Sequence, residues 1–460
     1  MSAPAKSQLT AADLAQLRRS QELHFNHYDR TPLPFACLRG QGIEIEAADL
    51  SDGELFRLLD TSGGYGSACL GAGHPVARQS LQRALGEAGY VTDELASLER
   101  ARMLDWLFGP EGLWGQHFPA GEYHASGRNS GSEGMELAIR LVLESRFDTR
   151  RLRPKPGKEK RDTILAFEGA WHGWTDGLLP LLNRRHYRIG LPGPAADDQY
   201  GIRVEHIPFG DADALREYFA ENADRLLAVV VEPIQGDAGI LVPANGYLRG
   251  LATLCADNEV LLVADEVLTF AKSGQFFAMR DEDGPVPTDI TVIGKSLGMG
   301  MLSTSMVIAR RTLKTRSSGA VATSDLRPVT CAVIHDGLRH IVEADLLGHS
   351  RELGAHLSRL LDSELVRQFP DLYTEARGQG VMHGVELSDL AASRLDALRA
   401  NVIRSGVYVE FMAGAGKRSH GLRYVHPTMR IAPPLITTVA QVEEIVGKIA
   451  DGTRRFRESL

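Results

Sequence analysis

The chain has 460 residues, of which 43% are hydrophobic and 24% charged, and its formal net charge is −8. This acidic balance argues against non-specific binding to nucleic acid or to anionic membranes, and no apolar run is long enough to span a bilayer. The four cysteines lie far apart and form no CxxC pair, which is typical of reduced thiols in a cytosolic enzyme. No secretory signal is visible, so the predicted location is the cytoplasm.

Sequence patterns divide the chain into an α/β core and a smaller C-terminal part. Thr10 followed by Asp13 predicts the start of a polar helix. Between residues 129 and 293, apolar runs alternate with helical patterns, which indicates an α/β domain with a mostly parallel sheet. After about residue 330, amphipathic helices and short strands predict a smaller α+β domain. The predicted domains are an N-terminal segment that joins the small domain (1–70), a large cofactor-binding domain (71–329) and the C-terminal small domain (330–460).

Three charged residues follow apolar runs that predict buried strands. Glu232 and Asp265 each follow a run of five apolar residues, and Lys295 follows a run of four and one glycine. In open α/β sheets, ligands bind outside the carboxyl ends of the strands. We therefore expect these three side chains to converge on one site.

Lys295 is the candidate nucleophile of this site. An amine attacks a carbonyl only when it is unprotonated, which burial or a neighbouring cation favours. Gly294, Gly298 and Gly300 leave room for a bulky cofactor to approach the backbone. A phosphate-binding P-loop would need a glycine at position 289, where this chain has Asp289. The nucleotide-binding interpretation is therefore disfavoured.

The other residues around Lys295 suggest pyridoxal phosphate as the cofactor. A buried Asp265 needs a partner, and the pyridinium nitrogen of this cofactor provides one, while the protonated ring acts as an electron sink. Val267 is placed to pack on the ring face. Gly131 and Ser132 open a predicted helix whose N-terminal N–H groups favour a phosphate, although a simple helix cap is the alternative. Trp171 is expected to stack on the ring or to belong to the core.

Several short sequence motifs occur in this chain in an order and with a spacing that are typical of one protein family. They are Asn129-Ser130-Gly131-Ser132-Glu133, Trp171-His172-Gly173, Glu232-Pro233-Ile234-Gln235-Gly236, Asp265-Glu266-Val267 and Gly294-Lys295. Together they resemble the class III aminotransferases (ornithine, acetylornithine and 4-aminobutyrate type) of pyridoxal-phosphate fold type I. Gly71 to Pro75 and Arg430 to Leu435 also fit, so the resemblance extends over nearly the whole chain.

The resemblance implies a role for each matching residue. Lys295 would form a Schiff base with the cofactor and move a proton between cofactor and substrate, and Asp265 would hold the pyridinium. Glu232 would support the cofactor or Asp265, or would be only a satisfied carboxylate at a strand end. The complete set of implied cofactor-binding residues is Gly131, Ser132, Trp171, Glu232, Asp265, Val267, Lys295 and Thr323.

The resemblance also implies a homodimer and a substrate site. Thr323 aligns with a threonine that reaches the phosphate of the neighbouring subunit, so the two active sites would be shared. Arg430 aligns with an arginine that binds a substrate carboxylate as a bidentate fork. Asp237 stands where ornithine-type members carry a glutamate that can pair with this arginine and gate two substrates. No metal site is predicted.

Some positions depart from the family pattern. Leu268 replaces the usual glutamine, as in glutamate-1-semialdehyde aminomutases, so a hydrogen bond to the ring hydroxyl would be missing. The stretch Thr269-Phe270-Ala271-Lys272 is one residue shorter than usual, and Leu326-Arg327-Pro328 replaces Gly-Asn-Pro. These changes predict an unusual substrate without affecting the chemistry at Lys295.

The leading functional prediction is a ping-pong aminotransferase that moves an amino group from a glutamate-like donor to a ketone or aldehyde. The alternative is an intramolecular aminomutase or an amino-acid racemase that uses the same lysine. Leu268 favours the mutase, whereas Arg430 with Asp237 favours the transaminase. A regulatory dimer without turnover is disfavoured because Lys295 and Asp265 are both retained.

Overall fold

A computed structural model of the chain describes residues 9–25, 33–87, 89, 91–148, 151, 153–183, 202–315, 320–412 and 427–460. The helices are α1 (Ala11–Leu23), α2 (Gly63–Gly66), α3 (Pro75–Glu87), α4 (Leu98–Phe108), α5 (Gly131–Ser145), α6 (Ala212–Asn222), α7 (Tyr247–Asp257), α8 (Pro328–Glu343), α9 (Leu346–Leu361), α10 (Asp389–Ser393), α11 (Leu395–Arg404) and α12 (Val439–Glu458). The strands are β1 (Phe35–Gln41), β2 (Glu44–Asp49), β3 (Leu55–Asp60), β4 (Tyr123–Arg128), β5 (Phe147–Asp148), β6 (Arg153–Pro154), β7 (Thr163–Phe167), β8 (Arg203–Ile207), β9 (Leu226–Val231), β10 (Leu261–Glu266), β11 (Arg280–Asp281), β12 (Gly284–Pro285), β13 (Ile290–Ile293), β14 (Ser305–Arg310), β15 (Tyr373–Gln379), β16 (Met382–Leu387), β17 (Val407–Tyr408), β18 (Glu410–Met412) and β19 (Thr428–Ile431).

The largest sheet has the strand order β4-β14-β13-β10-β9-β7-β8. Strand β14 is antiparallel to both of its neighbours, and the other pairings in this sheet are parallel. The central strands β9, β10 and β13 are buried along almost their whole length because helices cover both faces of the sheet. The predicted α/β fold with a mostly parallel sheet is therefore confirmed.

The two faces of this sheet have separate cores because alternate strand residues point in opposite directions. Val230 and Val263 pack with the apolar side of α5, which includes Met135. Val231 and Leu262 pack on the other face with residues of α6 and α7. This packing fixes the ends of β9, β10 and β13, from which the candidate site residues emerge.

Two four-stranded sheets and the two-stranded pairs β5-β6 and β11-β12 complete the described fold. One has the order β1-β2-β3-β17, in which β17 pairs parallel to β3, so that an N-terminal segment joins a C-terminal strand. The other is antiparallel and has the order β15-β16-β19-β18. Helix α1 begins after Thr10, whose capping box with Asp13 agrees with the helix start that the sequence predicts. The domain boundaries remain a prediction.

Candidate active site

Three adjacent strands of the large sheet bring the three predicted charged residues together. Asp265 lies in β10 and pairs in register with Val292 of β13. Glu232 follows the end of β9, the other neighbour of β10, and Lys295 follows β13 by one residue. Both carboxylates act electrostatically on the Lys295 amine. The predicted convergence at one edge of the sheet is therefore observed.

The Lys295 amine is available as a nucleophile. Lys295 is half-buried and begins a short 3₁₀ turn with a left-handed backbone, φ 44°. Within the described part of the chain, no side chain or carbonyl forms a hydrogen bond with its amine. Burial, and then the positive charge of Arg430, lower the pKa of Lys295 to about 8, against the opposing effect of nearby carboxylates. The unprotonated amine is consequently far more populated near neutral pH than that of an ordinary lysine.

Asp265 is buried and is held in place by two donors. Its Oδ1 accepts a hydrogen bond from the Val267 N–H at 3.1 Å, and its Oδ2 lies 2.8 Å from Nδ1 of His172. His172 is also buried, and its Nε2 has no partner among the described residues. The imidazole bonds through Nδ1 to Oδ2 of Asp265. It therefore orients the carboxylate without occupying Oδ1. His172 belongs to the Trp171-His172-Gly173 motif, but its role as the partner of Asp265 could not be predicted from that motif.

Glu232 fixes the loop that carries Trp171 and His172. One of its carboxylate oxygens accepts the Trp171 N–H at 2.7 Å, and the other accepts the Gly236 N–H at 3.1 Å. Burial raises the pKa of Glu232 to about 7, with His172 lowering it and Asp265 raising it further. The Trp171 ring meets the exposed Trp174 edge to face, with the ring centroids 4.2 Å apart. Glu232 thus supports the Trp171 loop, and stacking of Trp171 on a cofactor stays a prediction.

The predicted phosphate turn is a well-capped helix start. The Ser130 hydroxyl accepts the Glu133 N–H, and the Glu133 carboxylate accepts the Asn129 N–H at 2.8 Å. No described group accepts the N–H groups of Gly131 and Ser132, the first two residues of α5. Unpaired N–H groups at a helix start are the chemical requirement for binding a phosphate.

Close packing explains why this turn contains Gly131. A Cβ atom at Gly131 would lie 2.6 Å from Cγ1 of Val267. Hydroxyl groups of β14 and its preceding loop fix the turn from the other side, because Ser305 donates to the Ser130 carbonyl at 2.7 Å and Ser303 to the Asn129 carbonyl at 2.6 Å. Val267 therefore lies directly beside the phosphate turn.

Thr323 lies on the surface, apart from the buried groups around Asp265. It is exposed in the turn that precedes α8. Asp325 fastens this turn to β4, since its carboxylate accepts the Gly127 N–H at 2.5 Å and the Ser126 hydroxyl at 2.7 Å. The turn is thereby attached to the strand that leads into the phosphate turn, and contact of Thr323 with a second subunit stays a prediction.

Arg430 forms a buried ion pair with Glu410, which the sequence analysis did not identify. The two residues stand in register on the adjacent strands β18 and β19, and both are about 4% exposed. Asp237 acts on the Arg430 charge electrostatically, as it does on Lys295. Arg430 therefore lies close enough to Lys295 to influence it, but its hydrogen-bonded partner is Glu410.

Leu268, the residue that replaces the family glutamine, belongs to a small apolar cluster. The cluster also contains Ile234, Met382 and Ala432. A Cβ atom at Gly236 would lie 1.9 Å from Cδ2 of Leu268, so the leucine fills the space above the turn that precedes Asp237. An apolar residue at position 268 thus joins the Arg430 strand to the loops of the large sheet.

These groups fit pyridoxal phosphate. The Lys295 amine has no described hydrogen-bond partner, Asp265 presents a fixed carboxylate, and the start of α5 offers two N–H groups beside Val267. Among the residues described, no group of three or more His, Cys, Asp and Glu side chains is arranged to hold a metal ion. In the same residues, no helix combines the length and the apolarity that crossing a membrane requires.

Comparisons with known proteins agree with this geometry. The model of the family "Aminotransferase class-III" matches residues 27–452. Ornithine aminotransferase 2 of Staphylococcus aureus is 31% identical over 431 residues, which are 93% of this chain and 96% of that protein. Ornithine aminotransferase of Toxoplasma gondii superposes with a TM-score of 0.79 at 22% identity over 96% of this chain and 95% of that one. Acetylornithine aminotransferase of Elizabethkingia anophelis gives a TM-score of 0.72 at 23% identity, covering 96% and 99% of the two chains.

The family match covers most of the chain, and the structural matches share the predicted fold type I. The predicted family, cofactor and reaction type are therefore confirmed, and the transaminase is favoured over the aminomutase or racemase. The chain belongs to the class III aminotransferases and is a pyridoxal-phosphate-dependent transaminase.

Proposed function

We propose that this transaminase takes the amino group of a carboxylate-bearing, glutamate-like donor and passes it to a ketone or aldehyde in a second half-reaction. The observation that carries the proposal is the Lys295 amine, which has no described hydrogen-bond partner and feels the charges of both the buried Asp265 and Arg430. A reactive amine and a carboxylate-binding cation in one site suit an amino-acid donor.

Pyridoxal phosphate, when bound, supplies an aldehyde for covalent attachment to Lys295 and a ring that accepts electrons. Asp265 would hold the ring nitrogen, with His172 orienting the carboxylate through Nδ1. The N–H groups of Gly131 and Ser132 would bind the phosphate, with Val267 beside them. Trp171, positioned by Glu232, would cover the ring.

The pH dependence follows from the ionisation of Lys295. Its pKa in the folded protein is about 8, below the ordinary lysine value. Below this pH the amine is protonated and cannot take up a proton from the substrate, whereas above it the free base predominates. We therefore propose that the steps using the free amine accelerate as the pH rises through about 8.

The substrate-binding end is formed by Arg430, Glu410 and Asp237. Glu410 already neutralises Arg430, so a donor carboxylate has to compete with Glu410 for the guanidinium. Asp237 adds a second negative charge within electrostatic reach of Arg430. The relatives named ornithine aminotransferase support an amino-acid donor, and the acceptor for this chain is open.

We also propose that the active unit is a homodimer with shared sites in the cytoplasm. Thr323 is exposed on a turn that Asp325 fastens beside the strand of the phosphate turn, which suits a contact with a second subunit. The exposed Val321, two residues before Thr323, adds apolar surface at the same place.

The test is a single half-reaction. The loaded enzyme is mixed with L-glutamate and no acceptor, and 2-oxoglutarate is quantified together with the change in the visible spectrum of the cofactor. The proposal predicts one equivalent of 2-oxoglutarate per active site. If simple amino acids give no half-reaction, the donor assignment is wrong and the intramolecular alternative regains support.

A further inference from the structure

The loop after β10 carries a second buried lysine, Lys272, which the proposed reaction does not use. Its side chain is almost completely buried. The amine donates to the Leu268 carbonyl at 2.8 Å and to the Ser296 hydroxyl at 2.7 Å. Ser296 directly follows Lys295, and its hydroxyl donates to the Gly66 carbonyl at 3.3 Å. One amine therefore connects the turn of Lys295 to two neighbouring loops.

The position of Lys272 is fixed along its whole length. A Cβ atom at Gly66 would lie 3.0 Å from Cε and 3.3 Å from Nζ of Lys272, so the lysine side chain passes directly over this glycine. At the backbone, the Lys272 carbonyl accepts the Val381 N–H at 3.0 Å. A Cβ atom at Gly380 would lie 2.2 Å from the same carbonyl oxygen. Lys272 thus connects the large sheet to the β15–β16 hairpin.

The hydrogen bonds of Lys272 suit an uncharged amine. A neutral amine has two N–H donors, and both have acceptors here. An ammonium group would bring a third donor, and no carboxylate in the described part of the chain forms an ion pair with Lys272.

The charged surroundings also oppose protonation. The groups that act on Lys272 are Lys295 and Arg430, which disfavour its charge, and Cys69, which favours it. Burial is the largest effect, and together these influences lower the pKa of Lys272 to about 7.

We propose that Lys272 is a positioning residue for Lys295: an uncharged amine that clamps, through Ser296, the left-handed turn on which Lys295 stands. A left-handed backbone at a residue with a side chain is strained and persists only where the surroundings enforce it. The hydrogen bonds of Lys272 hold this backbone conformation without placing a second positive charge beside Lys295. The inference rests on the proposed function in that Lys295 is the reactive amine.

The uncharged state of Lys272 is tested on the purified full chain. Dialysis against hydroxylamine first removes the cofactor from Lys295, and circular dichroism verifies the fold of each variant. Trace acetic anhydride is applied across a pH series, and acetylation of Lys295 is followed by peptide mass spectrometry. Besides Lys272, the groups facing Lys295 are Arg430, Glu232, Asp265 and Asp237, and all are kept. Lys448 of α12, whose side chain is 33% exposed and pairs with Glu444, is the internal reference.

We expect Lys272→Arg, which adds a permanent charge, to lower the pH midpoint of Lys295 acetylation by about one unit. We expect Lys272→Met to leave the midpoint nearly unchanged, because an uncharged Lys272 amine has no charge for this substitution to remove. The opposite pattern, a raised midpoint in Lys272→Met and none in Lys272→Arg, means that Lys272 is charged and overturns the proposal.

The clamp is tested by hydrogen exchange of the peptide that contains Lys295 to Met299. We expect Lys272→Met and Ser296→Ala each to accelerate exchange about tenfold, and the double variant to add little, because both remove the same contact. Lys448→Met is the matched control and should leave this peptide unchanged. Wild-type exchange rates in both single variants would overturn the clamp. Neither readout requires transamination, so a failed glutamate half-reaction contradicts the proposed function and leaves this inference standing.

Discussion

At the level of single residues, Glu410 is the hydrogen-bonded carboxylate partner of Arg430. An unpaired buried arginine would bind a substrate carboxylate strongly, but Glu410 occupies the guanidinium. Oε1 of Glu410 and Nε of Arg430 still lack partners in the described part of the structure, so the pair keeps one acceptor and one donor. The proposed donor carboxylate would therefore enter a site whose positive charge is already compensated.

Glu410→Gln tests this competition between Glu410 and the substrate. The amide keeps the shape of the side chain and removes its charge, so we expect the apparent KM for L-glutamate in the first half-reaction to fall about tenfold, equivalent to about 1.4 kcal/mol. The measurement is the rate of cofactor conversion at varied L-glutamate concentration without an acceptor. Glu99→Gln is the matched control, because Glu99 is another buried glutamate paired with arginine, Arg83, and its loss should not alter the KM. An unchanged or higher KM in Glu410→Gln contradicts the competition.

At the level of elements, the site consists of strand ends and one helix start. These features could be predicted from sequence because they depend on local patterns. Apolar runs predicted β9, β10 and β13, and the serine and glycine turn predicted the start of α5. The contacts of His172 with Asp265 and of Glu410 with Arg430 could not be predicted from the sequence, because packing and strand register bring these partners together. A buried carboxylate predicts some partner but does not specify which residue provides it.

Gly131→Ala tests the phosphate turn. The new methyl group would lie 2.6 Å from Val267 Cγ1, so the turn has to shift and its N–H groups lose their alignment. We expect the Kd of pyridoxal phosphate, measured by absorbance titration, to rise at least about tenfold. Gly250→Ala in α7 is the matched control, because no atom lies within 4 Å of the new methyl group, and it should stabilise the helix by about 0.5–1 kcal/mol. Unaltered cofactor affinity in Gly131→Ala would place the phosphate elsewhere.

At the level of the whole molecule, N-terminal and C-terminal segments of the chain are in contact with each other beside the candidate site. Strand β17 pairs with β3, and the Ala432 N–H donates to the Thr61 carbonyl at 2.7 Å, so the Arg430 strand rests on the N-terminal segment. The N-terminal segment was predicted to join the small domain, but the strands β1 to β3 were not predicted. Their alternation is short and partly polar, and their pairing partner lies far away in the sequence. The remaining prediction at this scale is the shared dimeric site.

Subunit mixing tests whether the sites are shared. Lys295→Ala and Thr323→Asp are each expected to be nearly inactive, but a mixed dimer would contain one site with both Lys295 and Thr323 intact. We expect refolded equal mixtures to recover about a quarter of the wild-type activity, as random pairing in a two-fold dimer requires. Lys295→Ala mixed with Asp265→Asn is the control, because both residues belong to the same subunit's site and no intact site can form. Equal recovery in both mixtures, or none in either, would show that Thr323 does not complete a neighbouring site.

The central claim is that Lys295, and not the nearby Lys272, attaches the cofactor. The most direct measurement is borohydride reduction of the loaded enzyme, followed by proteolysis and peptide mass spectrometry. The phosphopyridoxyl group should be found on the peptide that contains Lys295, because the Lys295 amine has no described hydrogen-bond partner, whereas the Lys272 amine is bonded to Leu268 and Ser296. Recovery of the label on Lys272, or on no lysine of this site, would contradict the assignment.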